Sequence, residues 1–211
     1  MAAQYIDGPA EVTLRLPPPL AQPLRVEPRA DGVVLLVENE LIAEAHPTTV
    51  DLHVPAPVGI EHARRASSRY PWIADHPYPT CFVCGPEREE GDGLRVFPGP
   101  VDDGSMYAAP WLPEPSLGRD DGAVRDEFIW AALDCPSGIV TDLFGDVGLI
   151  VLGRMAAEIT CSLTVGCAYT VQAWPVEREG RKLRTASAIF SAGGHLCAVA
   201  RAVWIELSSP G

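Results

Sequence analysis

Apolar and polar residues alternate through AEVTLRL (residues 10–16), the pattern of a strand with one buried face. Pro17, Pro18 and Pro19 end it, because proline cannot donate to a ladder. LRVEP, VVLLV, LIAEA and TVDLHV continue as strands to residue 54, with Asp31-Gly32 as a hairpin turn. Residues 57–70 change to helical spacing, with Pro57 near the start, Ile60, Ala63 and Ala66 on one face, and Arg64, Arg65 and Arg69 left for solvent. Residues 71–80 carry Pro71, Pro77 and Pro79 with no period, and read as a linker. A turn-rich stretch, 81–100, then leads into a strand at GLRVF, and MYAAPW supplies another. VRDEFIWAALDCPSGIVTDLF (124–144) is helical and apolar on every side from Phe128 to Leu133, which marks a helix surrounded by protein. Four strands follow in VGLIVLGRMAAEITCSL, AYTVQAWP, RKLRTASAIF and HLCAVARAVWIEL, turning at Val165-Gly166, Glu179-Gly180 and Gly193-Gly194. One buried helix followed by a long antiparallel meander predicts an α+β architecture with the sheet wrapped around the helix.

The chain also contains part of itself twice. Ala10, Glu11, Thr13, Leu16 and Pro28 recur at constant offset as Ala157, Glu158, Thr160, Leu163 and Pro175, with Val12 answered by Ile159 and Leu24 by Val171. Further on, LIAEA (41–45) parallels LCAVA (196–200), and Asp51-Leu52 parallels Glu206-Leu207. A long-period self-match predicts one supersecondary unit built twice, each burying its apolar face against the other. Residues 1–75 would hold a partial copy and a linker, and residues 76–211 the complete unit.

Composition narrows the function. A formal charge of −12 argues against a nucleic-acid partner, since phosphate binding needs clustered Lys and Arg. No apolar run is long enough for a bilayer, and MAAQYIDGPAEV lacks a basic region followed by an apolar stretch, so the expectation is a cytoplasmic protein with no membrane partner. Cys81 and Cys84 form a CxxC, whereas Cys135, Cys161, Cys167 and Cys197 stand singly in apolar strands or a helix. A zinc ribbon needs a second close pair. His76 would complete three ligands only, so a packed loop without metal is expected.

Asp134 is the leading chemical candidate. It closes an apolar helical run, where desolvation raises a carboxyl group's pKa and suits it to act as a general base. Alternatively it caps a segment beginning at Pro136, with Cys135 leaving the helical region. Glu127 lies on the same helical face with Ala131 between, either lining an acyl pocket or, with Asp126, complementing the helix dipole. Arg181 and Lys182, with Arg184 and Arg154, form the most basic cluster and would suit the phosphates of coenzyme A, or are solvated strand ends.

Residues 76–207 resemble the hotdog fold, and its thioesterase-like branch in particular. The resemblance rests on three pieces in order: CFVCGP…GDGLRVFPGPV, the helix ending WAALDCPSG, and the meander ending HLCAVARAVWIEL. Ala131-Ala132-Leu133-Asp134 and Gly138 match the central-helix segment of that branch. The resemblance implies an acyl-CoA thioesterase in which Asp134 activates water or attacks the thioester carbonyl, with a backbone N–H near the helix start holding the oxyanion. It also implies that the N-terminal strands form a truncated second hotdog, with helix 57–70 in the vacant helix position. Arg125-Asp126-Glu127 stands where relatives tend to carry His-Gly-Gly, and that departure keeps a rival open: a non-catalytic hotdog binding an acyl or CoA ligand or a protein partner. No cofactor is expected beyond the coenzyme A moiety of a substrate, and the assembly is either a homodimer or an intrachain pseudo-dimer.

Overall fold

One antiparallel sheet runs through the chain. The computed structural model describes residues 2–20 and 22–207. Four strands come first, β1 (Ala10–Leu14), β2 (Arg25–Arg29), β3 (Gly32–Val37) and β4 (Glu40–Pro47), followed by helix α1 (Ile60–Ser67). Strands β5 (Gly99–Pro100) and β6 (Tyr107–Trp111) precede the long helix α2 (Asp126–Ile139). The meander is β7 (Ile150–Ile159), β8 (Tyr169–Glu179), β9 (Lys182–Ser191) and β10 (Leu196–Glu206). The strands lie side by side in the order β2-β3-β4-β1-β7-β10-β9-β8-β6-β5.

The order shows the same connection twice: β1 beside β4, β3 and β2, and β7 beside β10, β9 and β8. The two sets join where β1 pairs with β7, and there Ala10 faces Ala157, its own counterpart in the sequence match. That pairing is what a two-fold axis between the halves requires. The match does not keep step across the strands. Val12 is level with Ala45, Val33 and Pro28, whereas its counterpart Ile159 is level with Ala198, Ile189 and Val171. Pro28 thus holds the level that corresponds to Val171 rather than to Pro175, a drift of four residues (175 − 171). An even drift leaves every side chain on its own face of the sheet, so the buried pattern survives it.

Helix α2 packs against β7 to β10 on one face. Ile129, Ala132, Leu133 and Ile139 are buried there, and burying a side chain such as Leu133 contributes about 2 kcal/mol. The helix does not stop before Pro136 but continues to Ile139, so Asp134 is not a cap. Pro136 has no N–H for the Ala132 carbonyl, and at the same turn Ser187 of β9 reaches in to donate to the Leu133 carbonyl at 2.7 Å. Gly138 lies under the Trp204 ring; a Cβ there would stand 2.8 Å from it. Trp204 Nε1 donates to Ser137 Oγ at 3.0 Å, fixing the helix to β10.

Three expectations are corrected. GLRVF is not a strand: Leu94 and Val96 donate to the carbonyls of Phe82 and Val83, folding the segment onto the CxxC loop, and Arg95 takes a positive φ of 51°. TVDLHV forms no ladder, although Val50, Leu52 and Val54 pack onto the outer face of the sheet beside Trp174, Phe190 and Val199. Helix α1 does not fill a vacant position over the N-terminal strands. Ala63 and Ala66 pack on Ala108 of β6, the face opposite Tyr107, Ala109 and Trp111, which point into the α2 core. Over β1, β3 and β4 lies instead the short 3-10 turn Ala2–Tyr5, with Ala2 buried against Val33, Leu35, Ala43 and Ala45.

Candidate active site

The face of α2 turned away from the meander borders a cavity of about 320 Å³. Glu127, Trp130, Ala131 and Asp134 form its helical wall, at the spacing that brings side chains onto one face. The opposite wall comes from the N-terminal strands through Val12, Leu14, Leu35 and Ala43, and Met155 of β7 closes the seam between the halves. The cavity therefore exists because β1 extends the sheet past β7 and leaves apolar side chains facing the helix. Its size is near the small end of ligand pockets, roughly 300–1,000 Å³.

Asp134 is the polar feature of this wall. Its Oδ1 is shut off from solvent and has no hydrogen-bond partner. Burial pushes the carboxyl group up to about 7, with the charge on Cys81 adding to the effect. Such a carboxyl group is a stronger base than a solvated one yet still partly ionised near neutral pH. Glu127 shares the cavity wall but is exposed, and lies 3.7 Å from Arg125 Nε. Seven residues of helix separate the two acids, roughly 10 Å along the axis, so they do not converge on one atom.

The first turn of α2, which was expected to supply the oxyanion donor, begins at Asp126, roughly 12 Å along the helix from Asp134. Among the described residues lining the cavity, Trp130 has the only side-chain N–H.

The basic cluster lies elsewhere. Successive residues of a strand face opposite sides: Met155 borders the Asp134 cavity, while Arg154 lies on the other face with Arg184, Arg201 and Glu11. Arg154 Nε donates to Thr13 Oγ1 at 3.0 Å, and Arg184 pairs with Glu177 and Glu179, each at 3.2 Å. Lys182 begins β9, next to Arg181 in the turn. None of the four lines the Asp134 cavity.

No family model and no curated protein matches the chain. Solved structures do. A crystal structure described as a thioesterase superfamily protein aligns over 61% of this chain and 61% of its own, at 18% identity and a TM-score of 0.53. The fold is the hotdog fold. A Streptococcus mutans protein bound to acetyl CoA aligns over 51% of this chain and 85% of its own, at 11% identity and a TM-score of 0.46. The E. coli PaaI protein from the phenylacetic acid degradation operon aligns over 50% and 75%, at 8% identity and a TM-score of 0.45. The aligned part of the thioesterase superfamily protein is under two thirds of its length.

On the other side of Asp134, the hotdog helix carries a feature that sequence reasoning missed. Cys135 meets Cys81 and Cys84: Cys81 Sγ lies 3.6 Å from Cys135 Sγ and 3.5 Å from Cys84 Sγ. His76 Nε2 is 3.3 Å from Cys84 Sγ. Hydrogen bonds from Cys135 and Cys84 hold the Cys81 thiol well below its ordinary range, and the bond to Cys81 drives Cys135 well above it. The only sequence signal was the CxxC itself, because Cys135 lies far along the chain. No helix among the described residues is long and apolar enough to cross a membrane.

Proposed function

We propose that this hotdog protein hydrolyses an acyl thioester, with the acyl group in the cavity between the N-terminal strands and α2. The observation that carries the reading is the partnerless Asp134 Oδ1 on an apolar cavity wall. Ionised Asp134 takes a proton from water, the hydroxide attacks the carbonyl carbon, and the tetrahedral intermediate expels the thiolate. Trp130 is the candidate donor to the carbonyl oxygen. The thioesterase superfamily protein that shares the fold makes acyl-CoA esters the first substrates to test. The cavity's modest volume favours a short acyl chain.

A second reading, a hotdog that binds the acyl ester without cleaving it, is favoured by one observation. The first turn of α2 carries Asp126 and Glu127, which oppose a developing oxyanion. An acyl-CoA panel followed by free-thiol release separates the two. Hydrolysis by the wild type, reduced about 100-fold or more in Asp134→Asn with binding retained, fits the hydrolase. Binding without thiol release fits the second reading, and unchanged turnover in Asp134→Asn removes Asp134 from the chemistry.

A further inference from the structure

We propose that Cys81, Cys84 and Cys135 hold a zinc ion as three thiolates, with its fourth position open to the neighbouring cavity. This site is independent of the thioester reading. The three sulfur atoms all lie within 4.8 Å of one another. A tetrahedral zinc ion with Zn–S bonds of about 2.3 Å sets neighbouring thiolates about 3.8 Å apart. The observed 3.5 and 3.6 Å need adjusting by only a few tenths of an ångström.

The surrounding backbone is shaped to the cluster. Gly85 donates to the Cys81 carbonyl at 2.9 Å, and a Cβ at Gly85 would stand 2.4 Å from the Cys81 nitrogen, so the loop closes this tightly only with glycine there. Leu94 and Val96 brace the loop through the Phe82 and Val83 carbonyls, at 2.8 and 2.9 Å. His76 is buried, and its Nδ1 accepts the Tyr78 N–H at 2.8 Å. Its ring proton therefore sits on Nε2 and points at the Cys84 sulfur. His76 is thus a donor to a thiolate rather than a ligand, an outer contact of the kind that orients metal-bound groups.

The fourth position faces a cavity of about 330 Å³, lined by the three cysteines with Trp72, Asp142 and Trp204, which has room for a water ligand. Binding is redox-neutral: three Zn–S bonds form and up to three sulfhydryl protons leave for solvent. The ion would fasten the 76–97 loop to α2 one residue beyond Asp134.

The test is elemental analysis of protein purified without chelator, together with Cys84→Ser, Cys135→Ser and, as a control, Cys167→Ser, an exposed cysteine outside the cluster. About one zinc per chain is expected in the wild type and Cys167→Ser, falling to a small fraction in Cys84→Ser and Cys135→Ser. Cobalt exchanged into the intact wild type should show thiolate-to-cobalt charge-transfer bands, a readout that does not depend on any variant folding. A wild type that neither carries nor takes up zinc, with these thiols free or Cys81 and Cys84 joined in a disulfide, would overturn the proposal. Zinc retained in full by Cys135→Ser would also overturn it.

Discussion

Ala131 stands on the cavity wall between Glu127 and Asp134, where a small side chain keeps space open for a ligand. Ala131→Leu should fill part of that space while lengthening an already apolar helix face. Hydrolysis of the longest accepted acyl chain should drop roughly tenfold or more, and of the shortest much less, by the usual worth of a few methylenes in an apolar pocket. A chain-length profile identical to the wild type would place the acyl group elsewhere. Asp142, in the 3-10 turn Val140–Phe144, gives a prediction about stability. Burial pushes its carboxyl group from an ordinary 3.8 up to about 6, against a lowering hydrogen bond from Trp72. The folded state favours the protonated form, so its contribution is full below pH 3.8 and lost as pH rises through about 6. Urea midpoints of the wild type should therefore fall, relative to Asp142→Asn, between about pH 4 and 6. A difference that is flat over that window would show that Asp142 titrates normally.

Among the elements, the least regular one ties the molecule together. After β4 the chain crosses the outer face of β10, β9 and β8 without forming a ladder, and ends at α1 on β6. Gln172 of β8, fully buried, holds this crossing: its Oε1 accepts the Val58 N–H at 2.9 Å, and its Nε2 reaches the Pro55 and Ala56 carbonyls, each at 3.4 Å. Gln172→Leu should strand the Val58 N–H and cost about 1–3 kcal/mol, with faster amide exchange at Val58. Unaltered exchange there would mean that apolar contacts alone hold the crossing. This element also marks how far the sequence could be read. Alternation puts Val50, Leu52 and Val54 on one face, because period two governs any extended segment packed on a sheet. It could not tell whether a neighbouring strand was there to complete a ladder. GLRVF failed for the same reason: its hydrogen-bonding partners, Phe82 and Val83, sit in a loop. Strands with strong patterns and marked turns, such as β3 after Asp31-Gly32, came out at nearly their observed limits.

At the scale of the whole molecule, β1 beside β7 joins two sets of strands into one sheet, and the seam makes the Asp134 cavity. The helix-face relation of Glu127 and Asp134 was legible because helical spacing is local. That the facing wall would come from Val12, Leu14, Leu35 and Ala43 was not, since a self-match says that units recur and not which faces meet. Cys135 joining Cys81 and Cys84 was hidden for the same reason. The proposed hydrolysis requires an acyl thioester at this seam with its carbonyl beside Asp134. A crystal structure of Asp134→Asn with a bound acyl-CoA tests this. The carbonyl carbon should lie within one water of residue 134 and the acyl chain among Val12, Leu35, Ala43 and Met155. An acyl group bound on the opposite face near Arg154 and Arg184, with the seam cavity empty, would contradict it.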